Sequence, residues 1–533
     1  MSIYTGFINK AVPKVLSQVD RDKHSKTFGS CDRNFWHLKT RDFSSAILQQ
    51  TGLALQLLYE LDFEGNICYN KSDVKEWAEA TVYFWKKIQL KDGSLNEYYP
   101  NEHGFPPTAF SLYSSCETYK RLGMNDEELI RAFEKTGRYL IKHIEPKAYN
   151  QEIASITALY SLYTINNEEW VKEGLNKKLE RILSLQSEEG WFSEYGGADI
   201  GYLSVSLDML AEYYWMSKDE RVVEPLHKVI SFIKYFVHPD GTIGGEYGSR
   251  NTTYFLPNGL EVMAQLGNKD AAAIRDAILS KSCENYFFLD AVDDRYCSHY
   301  LLHSFLRAIQ KEQECGYKDK ADTKLPYQNN ESCYFKDAGI WIYINNNIYI
   351  IAGLQKGGVL KLYIDGEEKF IDCGYRVNYG KGKVAAMNWQ DPSYTILMDE
   401  GAVIKGNFNT VSLKVPSPIL HFGLRVIAKT VGNKIIGFLK KKIILVDDHS
   451  DITFERRIKI DKDVLEISDN IQSSSNVCLE SASNFSLRHV ASGKFFSISD
   501  LVAKSNEKYD DIKSLLVTKH IDLKSGEIKV ERN

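Results

Sequence analysis

The chain has no CxxC pair. Its nine cysteines (Cys31, Cys68, Cys116, Cys283, Cys297, Cys315, Cys333, Cys373 and Cys478) are dispersed. An odd, scattered set fits reduced thiols better than a disulfide framework. No Cys/His cluster has ligand spacing, so no zinc site is expected, and nothing calls for a cofactor. No apolar run approaches the ~20 residues of a membrane-spanning helix. The segment Met1-Ser2-Ile3-Tyr4-Thr5-Gly6-Phe7-Ile8-Asn9-Lys10 lacks the basic-then-apolar layout of a signal peptide, so a cytoplasmic location is expected. A large charge of one sign is also missing. A net charge of −5 gives no global attraction to nucleic acid or to an anionic membrane, and neither is an expected partner.

What is present is the composition of a globular protein, 43% hydrophobic and 26% charged. A length of 533 residues exceeds one ordinary core and implies two or more domains. One short pattern recurs three times in the first half. It reads Asp92-Gly93-Ser94-Leu95-Asn96-Glu97-Tyr98, then Glu189-Gly190-Trp191-Phe192-Ser193-Glu194-Tyr195, then Asp240-Gly241-Thr242-Ile243-Gly244-Gly245-Glu246-Tyr247. Each copy follows an amphipathic run, and each places Gly where a helix stops, because Gly takes the left-handed conformation without steric cost. A helix–stop–loop unit repeated in this way predicts stacked helical hairpins with Glu-Tyr pairs around one rim.

Helical periodicity runs through residues 1–313. It predicts about twelve helices, near 3–17, 43–60, 72–90, 107–123, 126–145, 150–164, 168–187, 202–217, 219–237, 257–267, 270–283 and 295–313. Six hairpins closed in a ring make an (α/α)6-like toroid; an open solenoid is the alternative. The polar, aperiodic stretch 314–332 reads as a linker. From 333 to 533 the period changes to two. Ile340–Ile344 and Ile348–Ala352 flank Asn345-Asn346-Asn347, and Val359–Ile364 precedes Asp365-Gly366; both are hairpin signals. Further strands are predicted at Lys434–Leu445, Ile452–Ile460, Val464–Ile467 and Leu515–Leu523, as in an antiparallel β-sandwich.

Tyr334-Phe335-Lys336-Asp337-Ala338-Gly339-Ile340 resembles the "F-x-D-A-G" opening of the sandwich domain in the heparinase II/III-like polysaccharide lyases. Gly357-Gly358-Val359-Leu360-Lys361-Leu362-Tyr363-Ile364-Asp365-Gly366 and Phe370-Ile371-Asp372-Cys373-Gly374 resemble the strand, "D-G" turn and "I-D-x-G" strand that follow. The motif-level likeness spans about 334–374. It implies a toroid followed by a sandwich, and a lyase acting by β-elimination on uronic-acid glycans. The chain departs from the family where its members carry "H-G-H-x-D": here stands Leu354-Gln355-Lys356-Gly357-Gly358, with no histidine. The three Gly/Glu-Tyr loops also resemble glycine-aromatic repeats of terpenoid-cyclase toroids, but the chain has no Asp-x-Asp-Asp acid motif.

β-Elimination needs the uronate carboxylate neutralised, a base for the neighbouring C–H proton, and an acid for the leaving oxygen. The resemblance implies an Asn for the first and a Tyr for one or both of the others. Glu246-Tyr247-Gly248-Ser249-Arg250-Asn251-Thr252-Thr253-Tyr254 supplies Arg250, suited to a bidentate carboxylate pair, beside Asn251 and Tyr254. About fifty residues on, His299, Tyr300 and His303 open the last helix of the ring. Tyr300 as a base needs a cation to lower its pKa, with Arg250 or Arg295 in reach. Trp36, Arg33, Lys39 and Arg41 form a second polar cluster suited to stacking on a sugar and meeting acidic groups. Glu97, Glu194, Tyr195, Glu246, Tyr247 and His303 complete the expected substrate-binding set. The expected partner is an acidic polysaccharide or oligosaccharide. Plainer readings stand beside these: helix-surface histidines, a hairpin-joining loop, and loop carboxylates or caps. Two of Glu97, Glu194, Asp199 and Glu246 would also serve a glycoside hydrolase as acid and base, and a non-catalytic saccharide-binding protein of surface-polysaccharide assembly is a third alternative.

Overall fold

The computed structural model describes residues 2–33, 43–281, 294–380, 383–412, 417–431, 448–481 and 507–532. The helices expected from the periodicity are present: α1 (Thr5–Gln18), α2 (Thr51–Glu60), α3 (Ser72–Ile88), α4 (Phe105–Leu122), α5 (Glu127–Lys142), α6 (Tyr149–Asn166), α7 (Glu169–Leu183), α8 (Ile200–Ser217), α9 (Val223–Ile233), α10 (Asn258–Gln265), α11 (Lys269–Lys281) and α12 (Leu302–Cys315). Local chemistry sets their ends. Asp126 caps α5 by accepting from the backbone N–H groups of Glu128 and Leu129. Prolines occupy the first turn of α4, and Gly123, at φ 64°, closes it. In all three repeated loops the glycine is left-handed: Gly93 at φ 90°, Gly190 at 102° and Gly241 at 84°.

α2, α4, α6, α8, α10 and α12 pack each on the next, and α12 returns to α2, so these helices form a closed inner ring. α1, α3, α5, α7, α9 and α11 lie outside it. The sequences follow this division. α4 and α6 are buried nearly all round, whereas α5 is sharply two-faced, with Leu129, Ala132, Phe133 and Leu140 inward. Charge pairs tie the inner helices. Arg307 of α12 reaches Asp208 of α8 at 2.5 Å, and Lys311 meets Glu212 at 2.8 Å.

Two antiparallel sheets follow in the chain. The first is a meander of β1 (Cys333–Phe335), β2 (Ile340–Asn345), β3 (Ile348–Gly353), β4 (Val359–Ile364) and β5 (Glu367–Asp372). The second contains β6 (Tyr375–Gly380), β7 (Lys383–Ala386), β8 (Thr395–Met398), β9 (Gly401–Ser412), β10 (His449–Asp461), β11 (Val464–Ser481), β12 (Lys508–Asp522) and β13 (Ile528–Arg532). It is ordered β10-β9-β7-β6-β11-β12-β13, with β8 on β9. The mixed helical and antiparallel-sheet content expected from the sequence is what is found. A helix at Pro418–Val431 interrupts the strands. The strand-like periodicity of 333–533 gives no expectation of it, although Pro416-Ser417-Pro418 ahead of an apolar-periodic run is a helix-start signal. The strand predicted at 434–445 falls outside the described residues.

The first sheet is buried on both faces. Ile340, Ile342, Tyr349, Ile351, Val359 and Tyr363 join the helical core, while Ile350, Ala352, Leu360, Leu362 and Ile364 join the core shared with the second sheet. Alternation of period two delivers both sets from the same strands. Polar contacts fix the helix-facing side. His238, fully buried, lies 2.9 Å from the Tyr247 hydroxyl and 3.1 Å from that of Tyr363. Tyr349 donates to the Tyr235 carbonyl at 2.8 Å. Gly353 ends β3 against Tyr247, where an added Cβ would lie 2.7 Å from its carbonyl oxygen.

Gly353→Ala should cost about 1–3 kcal/mol, because the contact is with backbone and cannot relax locally. Gly423→Ala, in open space within a helix, should leave stability unchanged or slightly raised; thermal unfolding of both variants is the check. Burial, and then the Lys361 ammonium, hold His238 well below its ordinary pKa, so it stays neutral when folded. Below pH ~6.5 the unfolded chain binds a proton there that the folded chain does not. Stability therefore falls on acidification, by about 2 kcal/mol from this group between pH 7 and pH 5. Denaturant unfolding across that range should show the slope, and His238→Asn should flatten it; an equal slope in the variant refutes the assignment.

Candidate active site

Two groups of side chains lie at the loop ends of the helical ring. The loop 246–254 contributes to both, and Asp199 anchors it. Asp199 caps α8 by accepting from Tyr202 N, and its carboxylate also takes the backbone N–H of Arg250 at 2.9 Å and the hydroxyl of Thr252. Ser249 donates to the Glu194 carbonyl at 2.8 Å. Thus the second and third repeated loops are bonded to each other.

The first group is cationic. Arg250 is 4% exposed, and its guanidinium lies over the Tyr195 ring at 4.5 Å. It makes no ion pair among the described residues, and its buried Nε has no hydrogen-bond acceptor. The other buried arginines differ. Arg275 pairs with Glu261 and Asp276, Arg307 with Asp208 and Glu212, and Arg456 with Asp372 and Asp469. Asn251, next in the chain, sits at φ 59°, a left-handed conformation that Asn tolerates better than most residues. Its Oδ1 accepts from the buried ammonium of Lys356, which also donates to the Gly248 carbonyl. Lys356 belongs to the short turn after β3, so a residue of the sheet layer enters this group.

The second group is aromatic. Tyr254 lies 5.6 Å from Tyr300 and 5.8 Å from Tyr202 between ring centroids, and Tyr296 lies 6.0 Å from Tyr300. His299 rests 4.0 Å from the Tyr300 ring. Both lie in a π-turn, Cys297–Leu301, ahead of α12, a local widening frequent at functional sites. The Tyr300 hydroxyl and His299 Nε2 are buried with no hydrogen-bond partner among the described residues. Burial lifts the Tyr254 and Tyr300 phenols well above their ordinary pKa, and neighbouring tyrosines add to it. Burial, then Arg295, brings His299 down to about 3. The lowered tyrosine pKa that a Tyr300 base requires is therefore not found: the phenol stays protonated and the imidazole stays neutral. Tyr254 stands four positions after Arg250, so their Cα atoms are at most about 14 Å apart.

The remaining expected residues take varied places. Glu97 is half-buried at the first loop, beside Tyr98, which interacts electrostatically with Tyr202 and Tyr296. Glu194 is buried and accepts from Asn150 at 2.6 Å. Glu246 lies 3.3 Å from Lys361; burial raises its carboxyl, and the ammonium more than offsets this, leaving it below the usual range. Tyr247 is buried against His238. His303 turns away from His299's ring contacts to Gln50, at 3.1 Å. Arg33 is half-buried, its N–H on the Gln18 carbonyl at 3.0 Å. Trp36, Lys39 and Arg41 lie outside the described residues. The sequence analysis missed Lys356 and His238. Lys356 was visible only as an oddity, a lysine within a motif where histidines were expected. The described residues contain no group of three or more His, Cys, Asp or Glu able to hold a metal ion, and no helix among them is long and apolar enough to cross a membrane.

No family model matches the chain. No curated protein matches it. Among solved structures, chondroitin AC lyase of Streptomyces coelicolor, in complex with chondroitin sulphate, aligns at TM-score 0.54 and 9% identity over 90% of this chain and 68% of that one. The heparan sulfate lyase HepC of Pedobacter heparinus aligns at TM-score 0.43 and 11% identity, over 90% of this chain and 70% of that one. At the level of fold the resemblance drawn from 334–374 is met: this chain has the fold of a polysaccharide lyase.

Proposed function

We propose that the protein is a carbohydrate-active enzyme that cleaves a uronic-acid-containing polysaccharide or oligosaccharide by β-elimination. In this reading the closed ring is an (α/α)6 toroid spanning 1–313, the sandwich spans 333–533, and the site lies where they meet. The observation that carries the reading is Arg250. A buried guanidinium without a carboxylate is costly to keep, and every other fully buried arginine named above has one. An anionic ligand is the partner it lacks. The shared fold with a chondroitin lyase supports a glycan as that ligand.

Each step then has a group. Arg250 and the Asn251 amide N–H neutralise the uronate carboxylate and make the C5 proton acidic. His299, neutral, takes that proton at Nε2; an anionic substrate raises its proton affinity above that of the empty site. The C5–H electrons form the C4=C5 bond, and the C4–O bond breaks. Tyr300, kept protonated by burial, gives its proton to the leaving oxygen, with Tyr254 beside it. Hydrolysis by paired carboxylates is less well supported, because Glu194, Asp199 and Glu246 already serve Asn150, the 250–252 backbone and Lys361.

Elimination creates a conjugated double bond that absorbs in the ultraviolet, whereas hydrolysis and simple binding do not. Incubation with uronate polysaccharides should give a rising absorbance. Arg250→Ala and Tyr300→Phe should each lower the rate by at least about 10²-fold; activity surviving both changes refutes the site. The same reading sets stability against activity. Arg250→Met should change folding stability by less than about 1 kcal/mol, since no ion pair is lost. Arg307→Met should cost about 3–5 kcal/mol by orphaning Asp208. Denaturant melts of the two variants compare them directly.

A further inference from the structure

We infer that Lys356 is a positioning residue for this site, acting from the sheet layer through Asn251; the inference rests on the reading just given. Lys356 is 1% exposed and sits in a turn with little freedom. Gly357 and Gly358 follow it at φ 66° and 75°. A Cβ on Gly357 would meet the Met387 carbonyl oxygen at 2.2 Å, and one on Gly358 the Arg456 Cδ at 2.7 Å. The turn is thus pressed against the second sheet, and the lysine projects the other way, into the helical layer.

An ammonium has three donors and no acceptor. The Asn251 atom that faces it must therefore be the carbonyl oxygen, as the Oδ1 contact has it. The two ends of an Asn amide are opposite in role, so fixing one fixes the other. Nδ2, the opposite end of the amide, is thereby directed away from Lys356. It is the end that a carboxylate needs. Lys356 also bonds the Gly248 carbonyl, so it holds the same loop at two points on either side of Arg250. Without it, the amide can flip, and a flipped Asn251 would present an oxygen lone pair to an anionic sugar. The ammonium's own charge adds attraction, but that part does not depend on Asn251.

A double-mutant cycle separates these contributions. The probe is a panel of uronate tetrasaccharides from chondroitin, hyaluronan, heparosan, alginate and polygalacturonate, with affinity measured by calorimetry and turnover by ultraviolet absorbance. Lys356→Met should weaken binding about tenfold or more in the wild-type background. In the Asn251→Ala background it should cost no more than about threefold, the residue of its charge. Lys356→Gln keeps an N–H donor without the charge, so it should retain more affinity than the Met variant, and it carries the cycle if the Met variant does not fold. Equal losses in the two backgrounds overturn the inference and leave the proposed function standing. Binding without an unsaturated product sinks the elimination chemistry but not the role of Lys356. Failure of the wild-type protein to bind any member of the panel sinks both.

Discussion

A five-stranded sheet whose central strands are buried on both faces is the constraint on which the rest depends. β4, Val359 to Ile364, is buried at every position, so any polar group it carries must find a partner within the protein. Lys361 does so with Glu246 and Glu368, and Tyr363 with His238 and Glu368. These partners lie largely in one segment, 238–247, the third of the repeated loops. The sheet therefore does more than cover the helical ring. It dictates the conformation of the loop that carries Arg250 and Asn251, and a slip of one residue in β4 would turn Lys361 and Tyr363 into the other core. The hydroxyls and carboxylates at this junction buy specificity of docking, since apolar packing alone would tolerate several relative placements.

The treatment of buried charge divides the molecule into scaffold and site. In the ring, Asp208, Glu212, Arg307 and Lys311 form a closed network between α8 and α12. Among the strands, Asp372, Asp469, Lys519 and Arg456 do the same. Each is locally neutral or nearly so, which is how charges are kept in a medium of low dielectric. Around Arg250 this rule lapses: the cation is stacked on Tyr195 but unpaired, and Tyr300 and His299 keep buried polar atoms without partners. The buried guanidinium that lacks a carboxylate sets this place apart from the paired networks of the scaffold.

Much of the architecture was legible because it is periodic. The helical pattern located the twelve helices, with the starts of α2 and α12 set about seven or eight residues too early, and Gly93, Gly190 and Gly241 marked left-handed stops by composition alone. The strands of the first sheet were equally clear, since both of their faces are apolar or aromatic. The helix at Pro418–Val431 was missed because it stands among strand-like apolar runs, with no acidic residue in its first turn to announce it. At the site, the segment 250–254 and the residues 299–300 could be named from residue type. The phenol pKa values could not, because their direction depends on whether a cation or other tyrosines lie nearest, and neighbours of that kind come from separate helices. Lys356 was beyond reach for the same reason. Its partner is 105 positions away in the chain, and only the packing of sheet on ring brings them together.

The three Glu-Tyr loops show why a repeat identifies geometry before it identifies chemistry. Each ends a helix with the same left-handed glycine, yet the glutamates take different roles. Glu97 stays half-buried near the tyrosine cluster, Glu194 is held by Asn150, and Glu246 answers Lys361 from the sheet. The tyrosines diverge too: Tyr98 is largely exposed, Tyr195 carries Arg250, and Tyr247 is locked to His238. The repeated part is what a hairpin needs in order to turn. The sheet layer meets the second loop, where Glu189 accepts from the backbone N–H groups of Asp337 and Ala338, and the third, where Glu246 pairs with Lys361. The buried cation stacked on Tyr195 stands in the segment that immediately follows the third loop.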